Sequence, residues 1–352
     1  MITEGKAKIA AKIEKIPTRK MEVFYNPVMK LNRDISIALL TVLNEKNLVV
    51  ADPLAGSGVR AIRFLKELPK RTIKKIYVND RSSTAVASIK KNLKINKISK
   101  KIIISQKDAN EFLKLGKFDY IDIDPFGYPG PFIDNAFAAI NAGGILAVTA
   151  TDTAALCGSA RKACIRKYKA VNSRNWMMHE TGLRILIGWA ARKAEEYGLR
   201  IQPLLSYSKE HYMRTFCYVL KKGKHELGFS WLCSKCLSFG IGRKEICCKG
   251  KTTISGPLWT GRIGKPAIVK KVNKLLQEKF ISTLLLDTES KVVGHYDLHE
   301  FASRHKLPNL PPLDEIALEI KGSRTHFNPH GIKTGKKPAE LLRIIRKCAE
   351  RQ

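Results

Sequence analysis

Acidic residues and long apolar runs are what this sequence has least of. Its 352 residues carry 31 Asp and Glu against 64 Lys and Arg, a formal net charge of +33 at pH 7. Such an excess repels itself in a compact chain and is tolerated when the partner is a polyanion. No apolar run approaches the ~20 residues of a membrane span, so no membrane association is expected. The opening MITEGKAKIAAKIEK lacks both an apolar core segment and a small-residue cleavage site, so it does not read as a secretory signal. The expectation is a soluble cytoplasmic protein. Internal repeats and low-complexity tracts are missing as well. The eight cysteines do not suggest a disulfide scaffold. Four of them, Cys233, Cys236, Cys247 and Cys248, fall within sixteen residues, which points to a metal site in a reducing compartment.

The basic residues cluster in KELPKRTIKK (66–75), KKNLKINKISKK (90–101) and RKACIRKYK (161–169). Any one cluster is ordinarily a solvated helix face. The whole set favours a nucleic-acid partner over an anionic membrane surface or simple solubility, without separating RNA from DNA.

Residues 48–152 alternate β-rich runs with helical patterns. LVVAD (48–52), KIYVND (75–80), KIIIS (101–105), DYIDID (119–124) and GGILAVTAT (143–151) read as strands. They are too uniformly apolar for a one-sided sheet and suggest a parallel sheet buried on both faces. VRAIRFLKEL, SSTAVASIKKNLKI and GPFIDNAFAAINA between them carry helical spacing. The alternation predicts a doubly wound, Rossmann-like α/β domain. A helix over 179–198 and strands RIQPLLSYS and MRTFCYVLKK complete it, placing a catalytic domain at 1–224. A smaller C-terminal α+β domain (225–352) would hold the cysteine cluster, a helix in VKKVNKLLQEKF (269–280) and two short helices of winged-helix type.

The first strand runs into Asp52-Pro-Leu-Ala-Gly56-Ser-Gly58, where glycines let the backbone approach a ligand. The second strand ends in Asp80, placed to accept ribose hydroxyls. The third ends in Asp108-Ala109 at the same sheet edge, where an adenine would lie. A nicotinamide dinucleotide fits this pattern too, since Gly56-x-Gly58-x-x-Ala61 with Asp80 beyond matches its permissive fingerprint. The fourth strand decides between them by ending in Asp124-Pro-Phe-Gly127. Hydride transfer has no use for that tetrapeptide there, whereas amino methylation does. An exocyclic amine conjugated with its ring is a poor nucleophile, and a fixed carboxylate accepting its N–H restores density at nitrogen and can take the proton. The aromatic ring would stack on a base drawn out of its helix. The plain alternative is a strand exit capped by Asp.

These residues carry a family resemblance. The stretches are Val23-Phe-Tyr-Asn-Pro-Val-Met-x-x-Asn-Arg-Asp34, the Gly56–Arg60 turn, Asp124–Gly127, His179-Glu-Thr-Gly-Leu-Arg184 and Pro203-Leu-Leu-Ser-Tyr207. Gly256-Pro-Leu-Trp259 and Ser323-Arg-Thr-His-Phe327-x-Pro-x-Gly-Ile-Lys-Thr334 extend it to the C-terminal half. The chain resembles the tRNA guanine-26 N2-dimethyltransferase family over nearly its whole length. The resemblance implies an S-adenosylmethionine-dependent class I methyltransferase acting on tRNA, with no obligate protein partner. It assigns Arg33, Gly56, Gly58, Arg60, Asp80, Asp108 and Ala109 to the cofactor, Asp124 to catalysis, and Phe24 and Phe126 to a sandwich around the guanine. Two other readings keep the fold: an adenine N6 or cytosine N4 methyltransferase, and a non-catalytic RNA-binding protein. Intact Asp124, Asp80 and glycine turn argue against the last.

The family usually has two Cys-x-x-Cys pairs, and here the second is the adjacent Cys247-Cys248. Neighbouring residues of a strand point in opposite directions, so both reach one structural zinc only from a tight turn; otherwise His225 substitutes or the site is degenerate. Arg324 and Lys333, in the last motif, are the expected contacts to the tRNA body.

Overall fold

The computed structural model describes residues 1–11, 25–248, 250–307 and 309–351. Phe24 lies outside the described residues. The chain opens on a hairpin of β1 (Ile2–Glu4) and β2 (Ala7–Ile9), which the sequence reading did not anticipate, and on helix α1 (Lys30–Leu43). The alternation then unfolds as β3 (Leu48–Asp52), α2 (Val59–Glu67), β4 (Ile73–Asn79), α3 (Ser83–Ile95), β5 (Ile102–Ser105), α4 (Ala109–Leu113), β6 (Phe118–Ile123), α5 (Gly130–Ala139) and β7 (Ile140–Ala150). Helices α6 (Thr153–Leu156), α7 (Arg161–Tyr168) and α8 (Met178–Glu195) lead to the pair β8 (Arg200–Lys209) and β9 (Tyr212–Leu220). The expected helix over 130–142 stops at Ala139. Ile140–Ala142 belong instead to β7, whose apolar side chains align with β6.

The seven strands lie in the order β5-β4-β3-β6-β7-β9-β8. The first five are parallel, and β9 runs antiparallel to both its neighbours. Crossovers from β3 proceed one way to β4 and β5, and the chain then returns to build outward through β6 and β7. The strand order therefore reverses between β3 and β6, and it is outside the carboxyl ends at such a switch point that open α/β sheets bind ligands. Helix α8 is buried nearly all round because it lies between this sheet and the C-terminal half. Its Gly188 meets the backbone at Leu258–Trp259, where a Cβ would come within 2.8 Å of the Trp259 nitrogen.

Beyond the sheet come β10 (Leu227–Leu232), β11 (Phe239–Ile241), the small hairpin β12 (Ile246–Cys247) and β13 (Gly250–Lys251), and β14 (Thr253–Trp259), with β10 central between β11 and β14. The expected single helix over 269–280 is two, α9 (Pro266–Leu276) and α10 (Lys279–Glu289), separated where Gln277 adopts φ 52°. Periodicity is blind to such a break because both helices keep their apolar spacing. Leu258, Trp259, Val269, Val272, Ile281 and Leu284 join the core built on the sheet. The chain leaves the sheet at Leu220 but returns to cover it.

The rest is β15 (Tyr296–Asp297), α11 (Leu298–His305), α12 (Leu313–Glu319), β16 (Ser323–Thr325), β17 (Asn328–Lys333) and α13 (Pro338–Ala349), with β17 between β15 and β16. From α10 onward the order helix, strand, helix, helix, strand, strand is that of a winged helix. Its separate core gathers Leu298, Phe301, Ile316, Ile320, Ile332 and Leu341.

Candidate active site

The turn after β3 is shaped by its glycines and by one carboxylate. Gly56 and Gly58 have φ of 55° and 75°, a region that side chains with a Cβ rarely enter. Asp80 follows β4 and accepts the Gly56 N–H on Oδ2 and the Ser82 N–H on Oδ1, each at 2.9 Å. It thereby ties the glycine turn to the start of α3. A carboxylate has about four acceptor positions, so capacity remains for ribose hydroxyls. Asp108 caps α4 by accepting the Asn110 N–H at 2.9 Å, and Ala109 beside it is buried. Buried Asn79, which sequence reasoning missed, pins all three loops: it donates to the carbonyls of Pro53 and Lys107 and accepts the Lys107 N–H.

Asp52, at the end of β3, is buried, and its Oδ2 has no hydrogen-bond partner among the described residues. Burial pushes its carboxyl up to about 7; Arg60 opposes that rise, while Asp122, Asp124 and Asp80 add to it. An unsatisfied carboxylate beside a glycine turn suits a ligand that brings positive charge or a donor.

Asp124 follows β6 directly and is half-buried. Its Oδ2 accepts from Arg60 Nη2 at 2.5 Å. The other nitrogen of that buried guanidinium, Nη1, donates to Asn32 Oδ1 at 3.0 Å and Ser36 Oγ at 3.1 Å, and lies 3.3 Å from Asp122. Asp122 in turn is gripped by fully buried Arg214 of β9 at 2.7 and 3.0 Å and by the Tyr120 hydroxyl at 2.7 Å. Burial alone would raise the Asp122 carboxyl, but Arg214 and Arg60 hold it below the usual carboxylate range. Alternation along β6 puts Tyr120, Asp122 and Asp124 on one face. Phe126 is 38% exposed. The turn behind it is closed by Thr151, which accepts the Gly127 N–H on Oγ1 at 2.6 Å and donates its own N–H to the Gly127 carbonyl.

Arg33 and Arg60, the two arginines expected at the cofactor, both have guanidinium groups bonded to neighbouring protein groups. Arg33 holds Glu4 with two nitrogens at 2.6 and 2.5 Å and the Asn26 carbonyl at 3.1 Å. Arg60 holds Asp124. The hairpin that supplies Glu4 carries no motif, so sequence gave no sign of that partner.

The four cysteines converge. Their sulfurs all lie within 4.8 Å of one another, with Cys236–Cys247 at 3.6 Å and Cys247–Cys248 at 3.9 Å. A tetrahedral thiolate site with bonds of ~2.3 Å has edges of about 3.8 Å. Cys248 adopts φ 51° just after the β12 strand, which supplies the tight turn that adjacent ligands need. His225 does not substitute: it accepts the Ile201 N–H at 2.9 Å and pairs with Glu195 at 2.7 Å.

Lys333 is not available to an RNA. It is buried, donating to Glu180 at 2.7 Å and to the Val292 and Gly294 carbonyls. Glu180 also takes Arg184 at 3.0 Å, and His295 lies 3.1 Å away. Burial would raise Glu180, but Lys333 and Arg184 hold it well below the carboxylate range. Arg324 is half-exposed, 3.4 Å from Asp314. The motifs His179–Arg184 and Ser323–Thr334 thus meet in a buried seam between the two halves of the chain.

A parallel sheet with one antiparallel strand inserted beside its last member, a glycine turn after the first strand, and carboxylates at the next two strand ends define a class I methyltransferase. A profile of the N2,N2-dimethylguanosine tRNA methyltransferase family matches residues 5–346. The chain is 36% identical to the tRNA (guanine(26)-N(2))-dimethyltransferase of Methanothermobacter thermautotrophicus, covering 98% of each. It is 35% identical to the tRNA (guanine(26)-N(2)/guanine(27)-N(2))-dimethyltransferase of Aquifex aeolicus, covering 97% of this chain and 95% of that one. Its fold superposes on Trm1 from Pyrococcus horikoshii, solved with S-adenosyl-L-methionine, with a TM-score of 0.85 and 34% identity over 98% of this chain and 99% of that one. The chain belongs to the N2,N2-dimethylguanosine tRNA methyltransferase family.

Proposed function

We propose that this chain transfers methyl groups from S-adenosylmethionine to the exocyclic N2 of guanine 26 in tRNA. The observation that carries the reading is Asp124, a carboxylate held at the carboxyl end of β6 beside exposed Phe126, across the switch point from the glycine turn. The residues fit the cofactor: Asp52 has a buried acceptor without a partner, Gly56 and Gly58 leave room for close approach, and Asp80, Asp108 and Ala109 line the same edge.

S-adenosylmethionine supplies an electrophilic methyl group on a sulfonium centre. The protein supplies the rest. Asp80 accepts ribose hydroxyls, and Asp108 with Ala109 receives the adenine. Asp124 accepts an N–H of the guanine amine, aims its lone pair and takes the proton as the new bond forms. Phe126, with Phe24, stacks on the extruded base, and such stacking contributes ~1–3 kcal/mol per base. Arg33 and Arg60 hold the cofactor from the N-terminal segment and the first loop, Arg60 also orienting Asp124 and Arg33 also fastening the N-terminal hairpin.

In this reading residues 1–224 form the catalytic domain and 225–352 the tRNA-binding domain. Cys233, Cys236, Cys247 and Cys248 hold a structural zinc there, a role the near-tetrahedral spacing supports. Incubation with an unmodified tRNA transcript and labelled cofactor, followed by nucleoside analysis, tests the function. Dimethylguanosine at position 26 is expected; label only in adenosine or cytidine, or none, overturns it.

A further inference from the structure

Helix α7 has a charge pattern that its own stability does not explain. Its eight residues, RKACIRKY, begin with two cations, Arg161 and Lys162, and the first turn has no acidic residue and no capping side chain. Cations at a helix N-terminus oppose the positive end of the macrodipole. Arg166 and Lys167 in the last turn are favourable by the same rule, so only the first pair lacks a local reason. Arg161, Lys162, Arg166 and Lys169 are exposed, and among the described residues none is ion-paired. Ile165, in the middle of the same face, is 46% exposed. Four exposed cations without ion-pair partners on one face suit a polyanionic phosphate chain.

The helix is fastened to the catalytic turn. The Tyr128 hydroxyl, two residues beyond Phe126, donates to the Lys167 carbonyl at 2.6 Å. The Tyr168 hydroxyl and Lys167 Nζ donate to Asp152 at 2.6 and 2.9 Å, and Asp152 directly follows the Thr151 that closes the Gly127 turn. Tyr128, Tyr168 and Trp189 pack ring against ring, with centroids 5.0–5.5 Å apart. Helix α7 is therefore a rigid extension of the loop that carries Asp124 and Phe126.

We infer that the outer face of α7 grips the tRNA backbone next to the target guanine, so that phosphate binding and base placement share one rigid element. This rests on the function proposed above. An eight-residue helix is ~12 Å long, enough to lie along a few consecutive phosphates of one strand.

The test compares two charge-matched variants of the full chain. One combines Arg161→Ala, Lys162→Ala and Arg166→Ala. The other combines Lys90→Ala, Lys91→Ala and Lys94→Ala, exposed residues at the far end of α3, on the opposite edge of the sheet. Loss of about three phosphate contacts should raise the KM for tRNA transcript at least ~10-fold and shrink the log–log salt slope by about 2–3. Cofactor affinity, read by calorimetry, should stay as in the parent. The α3 variant should change tRNA affinity far less. Arg161→Lys with Arg166→Lys should keep the parental slope. Equal effects of the two triple variants, or a parental slope in the α7 variant, overturn the inference. Failure of the function itself would instead appear as an unmodified tRNA with the parent enzyme.

Discussion

Arg60 donates to Asp124 at 2.5 Å while Asn32, Ser36 and Asp122 hold its other nitrogen, so the carboxylate at the end of β6 rests on a guanidinium fastened at both ends. In the proposed reaction this would give a base whose direction is set before the substrate arrives, the kind of preorganisation that orients reacting groups. Asp124→Asn keeps the acceptor for Arg60 and the shape, but removes the charge and the proton-accepting capacity. Single-turnover methyl transfer should fall by about 10²–10⁴, with cofactor and tRNA affinities nearly unchanged. A near-parental rate would mean that another group takes the proton. Phe126→Ala should lower both productive tRNA binding and rate.

Asp52 predicts a pH dependence of cofactor binding. Its carboxyl is raised to about 7 from 3.8, so ionising it costs the free protein stability as pH climbs from 3.8 towards 7. A cofactor bearing positive charge favours the ionised form. Affinity for S-adenosylmethionine should therefore increase as pH rises towards 7 and level off above it, with a proton released on binding below 7. Calorimetry in buffers of different ionisation enthalpy measures that proton. Asp52→Asn should abolish the release; an unchanged release would move its origin elsewhere.

Elemental analysis of protein purified without chelator should give about one zinc per chain. The cluster ties down a segment whose β12–β13 hairpin is only two residues per strand, so metal is expected to supply much of its local folding free energy. Cys247→Ser and Cys248→Ser should each lose metal and lower the thermal midpoint. Retention of full zinc by Cys248→Ser would remove that residue from the ligand set.

Lys333→Met should destabilise the chain by about 3–5 kcal/mol, the scale for stranding a buried charge, because Glu180 loses its 2.7 Å partner. Urea unfolding measures this. The salt slope of tRNA binding should not change. A slope smaller by about one, with parental stability, would return Lys333 to the RNA-contacting role first expected of it.

Much of the catalytic half was readable because its signals are local. Strands buried on both faces must be apolar, and a turn with positive φ at Gly56 and Gly58 demands glycine whatever the rest of the chain does. The cysteine cluster was equally plain, and the condition set by adjacent Cys247 and Cys248, a tight turn, is met by the φ of Cys248. What stayed hidden depends on pairings across long stretches of chain. Glu4 reaches Arg33 over 29 residues, Arg60 reaches Asp124 over 64, and Glu180 reaches Lys333 over 153. A lysine in a basic protein looks like every other lysine until its carboxylate is located. Lys333 was therefore read as a surface contact, and the motif around it as RNA-facing. Gln277 marks the opposite limit: a single residue in the left-handed region splits one apparent helix into two without altering the apolar pattern.

The buried seam at Glu180 also limits how the molecule can respond to its substrate. An apolar interface tolerates sliding, because one hydrocarbon contact replaces another. A carboxylate buried between Lys333 and Arg184 has less freedom, since a shear would leave charges uncompensated at a cost of several kcal/mol. The C-terminal half is thereby pinned to helix α8 and, through it, to the sheet. In the proposed reaction, adjustment on encounter would then fall to the RNA, whose target base would unstack and swing out to meet the site.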